Sequence, residues 1–320
     1  MLMGAFLGDA LGAPHEFKVN KAEYTGRLEH QAFNITRFQV RHELQIGQVT
    51  DDSEMTLALL RTIIKDKGYI KNHVTQAYLD WANSGGWMLG KNTRAIFKGI
   101  KTIKGYQKRM DKILDLPEVE RSQSNGTLMR ASPLALLSGK EVIIEDVKLT
   151  NPNPVNIDCS VIYVTALRLA LAGFKGSEIV EQVRDLVRTD EVLEMFGQIE
   201  RNEDRDTITN KGWCLHALWC AMMAILYFDD YSQAMKWVIS VQGSDTDTNA
   251  CIAGALLGAV LGFEKMKEEP LTSENIEILL KVKPEEGPTP RPTQYSPADF
   301  FELTEKAYEL TLFDEKSSEF

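Results

Sequence analysis

The chain has 320 residues, with 46 acidic side chains against 36 basic ones and a formal net charge of −10. At this length folding buries about 75% of the extended chain's surface, enough for a core without disulfide or metal staples. Hydrophobic residues at 43% exclude a disordered chain, and the acidic balance argues against nucleic acid, whose binders need a basic surface to displace phosphate counterions.

Helical periodicity dominates. It predicts helices over Met55 to Ile64, Val74 to Ala82, Ser160 to Ala172, Ile179 to Val187, Trp213 to Phe228, Tyr231 to Val238 and Ala250 to Gly262. Strand-like alternation is confined to Ala32 to Val40 and Trp237 to Val241. Gly254, Gly258 and Gly262 fall on one helix face, where a neighbouring backbone can approach closely. Thr189 to Lys211 is polar and reads as a surface excursion with one short helix. Lys283 to Pro297 carries Pro284, Pro288, Pro290, Pro292 and Pro297 and reads as extended. It leads to a docking helix over Ala298 to Leu312, with Phe300, Phe301, Leu303, Ala307, Leu310 and Leu312 around an apolar side. No repeat of about 20–50 residues is visible. The expectation is one all-α domain over residues 1–320.

Cys159, Cys214, Cys220 and Cys251 form no CxxC pair, so buried free thiols in a reducing compartment are expected. The apolar stretch Leu218 to Phe228 falls short of the roughly 20 residues that cross a bilayer. The opening residues lack a basic region and reach Asp9 too early for a signal peptide. A cytoplasmic monomer with no membrane partner is expected.

Two acidic turns each open an apolar helix. Thr50-Asp51-Asp52-Ser53-Glu54 precedes Met55-Thr56-Leu57, and Ser244-Asp245-Thr246-Asp247-Thr248-Asn249 precedes Ala250-Cys251-Ile252. One Asp or Thr at a helix start is explained by capping. Paired carboxylates exceed what a cap requires, and clustered like charges are costly unless a cation neutralises them. All-oxygen donors suit Mg²⁺ or Mn²⁺ rather than zinc, and the five histidines show no ligand spacing. The segment Gly8 to Glu16 sets small residues around Asp9, breaks at Pro14 and presents Glu16. Ser124-Asn125-Gly126-Thr127 reads as a turn capping a helix or touching a polar ligand.

In this order, Gly8-Asp9-Ala10-Leu11-Gly12 with Glu16, Thr50-Asp51-Asp52, Asn125-Gly126-Thr127-Leu128-Met129-Arg130, and Asp245-Thr246-Asp247-Thr248-Asn249 resemble the ADP-ribosylglycohydrolase family. Gly90-Lys91-Asn92-Thr93-Arg94 adds a fifth similar segment. The resemblance implies an orthogonal multi-helix bundle whose cleft holds two Mg²⁺ or Mn²⁺ ions. It maps the metal ligands onto Thr50, Asp51, Asp52, Asp245, Asp247 and Thr248. The implied substrate is ADP-ribose attached to a protein side chain, or a related small ADP-ribosyl compound, and the reaction is hydrolysis at C1″. Such a reaction builds oxocarbenium character while water arrives, which a two-metal site can serve. Asp52, Asp247 and Glu16 are the candidate bases. Asn125, Gly126, Thr127 and Ser244 are the candidate substrate contacts.

The chain departs from the family's pattern at Ser244, where a glycine is common, at Asn151, where histidine is common after threonine, and at Met88, where some members have an acid. It begins almost inside the first motif, so an upstream helical turn is expected to be missing. Two other readings stand beside this one. A relative that binds ADP-ribose or is structural without turnover would keep the fold. A haloacid-dehalogenase-type phosphatase would share Asp245-Thr246-Asp247-Thr248, but it needs a strand before the motif and a later acidic pair.

Overall fold

A computed structural model describes residues 1–16, 41, 43–86, 89–113, 122–207, 209–240 and 245–318. They form helices α1 (Leu2–Gly12), α2 (Asp51–Asp66), α3 (Lys71–Ala82), α4 (Lys91–Phe97) and α5 (Ile103–Ile113). Next come α6 (Glu141–Val147), α7 (Pro154–Leu171), α8 (Gly176–Arg184), α9 (Asp190–Glu200) and α10 (Cys214–Tyr227). The last are α11 (Tyr231–Ser240), α12 (Thr246–Leu261), α13 (Phe263–Glu268), α14 (Pro270–Lys281) and α15 (Phe300–Ser318). Among the described residues there is no strand, only an isolated antiparallel bridge between Ser124 and Trp213. The fold is all-α, as the periodicity predicts. Trp237 to Ser240 is the end of α11 rather than a strand, because its apolar residues continue a helical face. The other strand candidate, at 32–40, lies outside the described residues.

At the centre, α1 and α12 cross with their backbones touching. A methyl group on Gly4 would collide with the Gly254 carbonyl, on Gly8 with the Ala250 carbonyl, and on Gly12 with the Thr246 carbonyl. Both helices are buried over almost their whole length, which is why they are apolar on every face. Two side chains tie the crossing: Tyr231 Oη donates to the Gly4 carbonyl and Thr246 Oγ1 to that of Gly12. The glycine stripe of α12 is thus met by a second stripe in α1. Gly262, expected to extend the stripe, instead ends α12 at φ 82°, a conformation that favours glycine.

Several helix starts are capped from elsewhere in the chain. Glu269 takes the Tyr231 and Ser232 N–H groups at the start of α11. Asp158, inside α7, takes the N–H groups of Arg188 and Thr189 ahead of α9. That acceptor turns the polar stretch after residue 189 into a docked helix, with Val192, Met195, Phe196 and Ile199 buried. Helix α7 has the length and apolarity of a bilayer-crossing segment, yet its side chains are mostly buried against neighbouring helices. The four cysteines are free and buried. On α15, Phe300, Leu303, Ala307 and Leu310 are buried, whereas Phe301, expected on the apolar side, is 57% exposed.

Backbone contact at the α1–α12 crossing leaves no room for a methyl group. Gly8→Ala is expected to destabilise the fold by about 3 kcal/mol or more, the upper end of overpacking costs. At Gly90 an added methyl meets nothing within 4 Å, and Gly90→Ala should shift stability by no more than about 0.5 kcal/mol. Urea melts of both variants check this; equal shifts would refute the close-packed crossing.

Candidate active site

The crossing delivers Asp9 from α1 to the start of α2. Asp9 is fully buried, and its carboxylate accepts from Thr50 N–H at 3.0 Å, Thr50 Oγ1 at 2.7 Å, Ser53 N–H at 3.1 Å and the Ser53 hydroxyl. It is therefore the cap of α2, supplied from a distant helix, and its lone pairs are fully used. Burial pushes its pKa up to about 6 against those hydrogen bonds. With Asp9 fixed, Asp51 and Asp52 take the first turn of α2.

The same crossing sets the first turn of α12 beside that of α2. Carboxylate oxygens of Asp9, Asp52 and Asp247 lie within 4.8 Å of one another, and so do those of Glu16, Asp245 and Asp247. Asp247 belongs to both sets. Thr248 N–H donates to Asp247 Oδ1 at 3.0 Å, and the Thr50 hydroxyl lies 3.1 Å from Asp52 Oδ2. Asn125 donates its amide to Asp245 Oδ2 at 2.7 Å. Glu16 stands at the edge, 17% exposed, paired with Arg41 at 3.0 Å. Asp51 is half-buried at the start of α2 and belongs to neither close set.

These carboxylates cannot all ionise cheaply. Burial raises Asp52 and Asp247 well above the usual carboxylate range, and the charges of Asp9, Asp51, Asp245 and Glu16 add to it. Asp51 is raised well above that range by burial and by Asp9 and Glu54. Glu16 is raised by burial and by Asp245, with Arg41 opposing, and Asp245 by burial. Asp52 Oδ1 is buried and has no hydrogen-bond partner. Negative charge, an unpaired oxygen and an all-oxygen donor set fit a hard divalent cation.

The turn at 125–127 is braced from behind. Arg130, fully buried, pairs with Asp146 at 2.9 Å and donates to the Gly126 carbonyl at 2.8 Å. Tyr78 Oη donates to the other Asp146 oxygen. Asn151, at the family's histidine position, does not reach the carboxylates; it bonds Ser122, Ser124 and Asn92 and so holds the same turn. Thr127, expected at the substrate, has its side chain fully buried, with Oγ1 accepting from Asn156. The Asn125 amide nitrogen is likewise committed to Asp245, and the Asn125 backbone N–H to the Gly212 carbonyl. Ser244 and Met88 lie outside the described residues.

The sequence profile of the ADP-ribosylglycohydrolase family matches residues 1–277. The chain belongs to the ADP-ribosylglycohydrolase family. An Acanthamoeba polyphaga mimivirus protein bearing the name ADP-ribosyl glycohydrolase is 27% identical, over 81% of this chain and 85% of that one. The ADP-ribosyl-[dinitrogen reductase] glycohydrolase of Rhodospirillum rubrum is 23% identical, over 88% and 92% respectively. A solved structure described as an ADP-ribosylglycohydrolase-related protein complex superposes with a TM-score of 0.63 at 19% identity, over 87% of this chain and 94% of that one. That superposition supports the fold. Membership of this family of glycohydrolases excludes the phosphatase reading, whose required strand is the helix α11.

The sequence motifs contain Asp9 but do not reveal its role as a cap. The signal was there: Gly4, Gly8 and Gly12 repeat at helical spacing, and Asp9 is the only charged residue of α1.

The raised carboxylates bind protons in the folded state that the unfolded chain has already released. Between about pH 4 and 6 the native state therefore holds more protons, and the cluster's contribution to stability falls as pH rises. Without divalent cations, Asp52→Asn is expected to be more stable than wild type at pH 7.5 and to lose that advantage at pH 4. Thermal melts in EDTA check this; an Asn variant less stable at pH 7.5 would refute it.

Proposed function

We propose that the protein is a divalent-cation-dependent hydrolase of the C1″ glycosidic bond in ADP-ribosylated side chains or related ADP-ribosyl compounds, releasing ADP-ribose. The observation that carries this reading is the convergence of Glu16, Asp52, Asp245 and Asp247, with one Asp52 oxygen unpaired. Asp52, Asp245, Asp247 and Thr248 would hold two Mg²⁺ or Mn²⁺ ions, with Thr50 and Asp51 completing the set. Bound there, the ions would supply the positive charge that orients ribose hydroxyls and acidifies an attacking water.

The chain's own groups divide the remaining work. Glu16 is more exposed than Asp52 or Asp247 and borders the carboxylate cluster, so it is suited to take a proton from water. Arg41 orients it by donating both to Glu16 and to the Ala13 carbonyl. Asn125 holds Asp245 by donating to its Oδ2. The substrate's pyrophosphate is anionic in an acidic protein, so uncharged donors suit it: the N–H groups at 126–127 and Ser244. A non-catalytic ADP-ribose binder is the second reading, but it gives no reason to keep every carboxylate of the cluster.

The test is release of free ADP-ribose from ADP-ribosylated arginine and serine peptides, followed by chromatography. EDTA should abolish release, and Mg²⁺ or Mn²⁺ should restore it. Asp245→Ala should lose cation binding and activity while retaining helical circular dichroism. Glu16→Gln should keep cation binding and lower kcat by about 100-fold or more. Release indifferent to EDTA would overturn the cation-dependent mechanism. No release from any ADP-ribosyl donor by cation-loaded protein would leave the binder.

A further inference from the structure

Glu54 lies in the same helical turn as Asp51 and Asp52 and is 5% exposed. Its carboxylate is filled from two sides. Trp81 of α3 donates its indole N–H to Oε2 at 2.8 Å. Arg291 donates Nε to Oε1 at 2.7 Å and Nη2 to Oε2 at 2.6 Å, a two-pronged pair. Arg291 comes from the proline-rich segment, far along the chain, and is itself only 5% exposed. It also donates to the carbonyl and hydroxyl of Ser84, both at 3.0 Å, and its guanidinium lies over the Tyr295 ring. Gly86 packs against it where a side chain would crowd the guanidinium.

The same segment grips α2 a second time, two turns on. Arg61 pairs with both carboxylate oxygens of Asp299 at 2.7 Å and donates to the carbonyls of Gln294 and Ser296. That pair alone would fasten the segment to α2. Arg291 does more, because its partner stands beside the acidic cluster. Both anchors lie beyond residue 277, outside the part of the chain that the family profile matches.

We propose that Arg291 is a positioning residue of the cation site: by clamping Glu54 it holds the first turn of α2, and so sets the placement of Asp51 and Asp52 and the site's affinity for divalent cations. Without Arg291, a buried carboxylate loses its counter-charge beside the acidic cluster, and the cheapest relief is for the turn to move toward water. The proposal rests on the cation reading of the cluster.

The experiment is Mn²⁺ titration by calorimetry of the full chain as wild type, Arg291→Met, Arg291→Lys and Arg61→Met, each with a thermal melt. Arg291→Met is expected to weaken Mn²⁺ binding about tenfold, the lower end of what losing an outer-sphere partner costs. Arg291→Lys, which keeps the charge but not the fork, should fall between it and wild type. Arg61→Met should lower the melting temperature yet bind Mn²⁺ as wild type does. Wild-type affinity in Arg291→Met overturns the proposal, and so does an equal loss in Arg61→Met. If Arg291→Met does not fold, wild-type affinity in Arg291→Lys overturns it instead. A wild-type chain that binds no Mn²⁺ overturns the cation reading and this proposal with it.

Discussion

Everything at the acidic site depends on the contact between the backbones of α1 and α12. Side chains would hold two helices about 8–10 Å apart; glycines at positions 4, 8 and 12 of one, facing 246, 250 and 254 of the other, remove that spacer. The crossing carries Asp9 and Glu16 with α1 and Asp245 and Asp247 with the start of α12. It sets them so close that their charges cannot be independent. Close packing of this kind is costly in helix propensity, since glycine is a poor helix former. The cost is met by burying both helices almost completely.

From that crossing outward, the fold solves one electrical problem repeatedly: helix starts need acceptors, and this chain supplies them from distant acids. Asp9 caps α2, Asp158 serves the start of α9, and Glu269 serves α11. Each such cap is also a tether between elements. At α2 the outcome is chemical: Asp9 is saturated with donors, whereas Asp52 keeps one oxygen without any. The distinction between a structural carboxylate and an available one is made here by hydrogen-bond count, not by residue type.

The proline-rich segment and α15 extend this logic beyond the family-matched region. The segment read as extended instead folds into short 3-10 turns at Pro284–Glu286, Thr293–Tyr295 and Pro297–Asp299, because proline suits the start of a helical turn. From them Arg291 and Asp299 meet Glu54 and Arg61 on one face of α2. An element that reads as a connector thus buttresses the helix whose first turn faces the acidic cluster.

The helical character of the chain and its four motifs were legible in the linear order of residues, because amphipathic periodicity and clustered carboxylates are local signals. The prediction of helices such as α2, α3, α7, α10 and α12 succeeds for that reason, and the family resemblance rests on the same local groups. Helices α1, α5 and α14 go unpredicted, α1 because it is buried on every face and so carries no amphipathic period. Short helices such as α4 and α6 were not legible, since their stability comes from packing rather than periodicity. Nor was the partnership of Asp9 with Thr50 and Ser53, of Asn125 with Asp245, or of Arg291 with Glu54. A hydrogen bond between residues 41, 120 or 237 positions apart leaves no mark on the sequence around either partner. The sequence by itself determined which oxygens and which charges the protein owns. Only the tertiary structure decided which of them are spent on each other, because that depends on how closely two helices can approach.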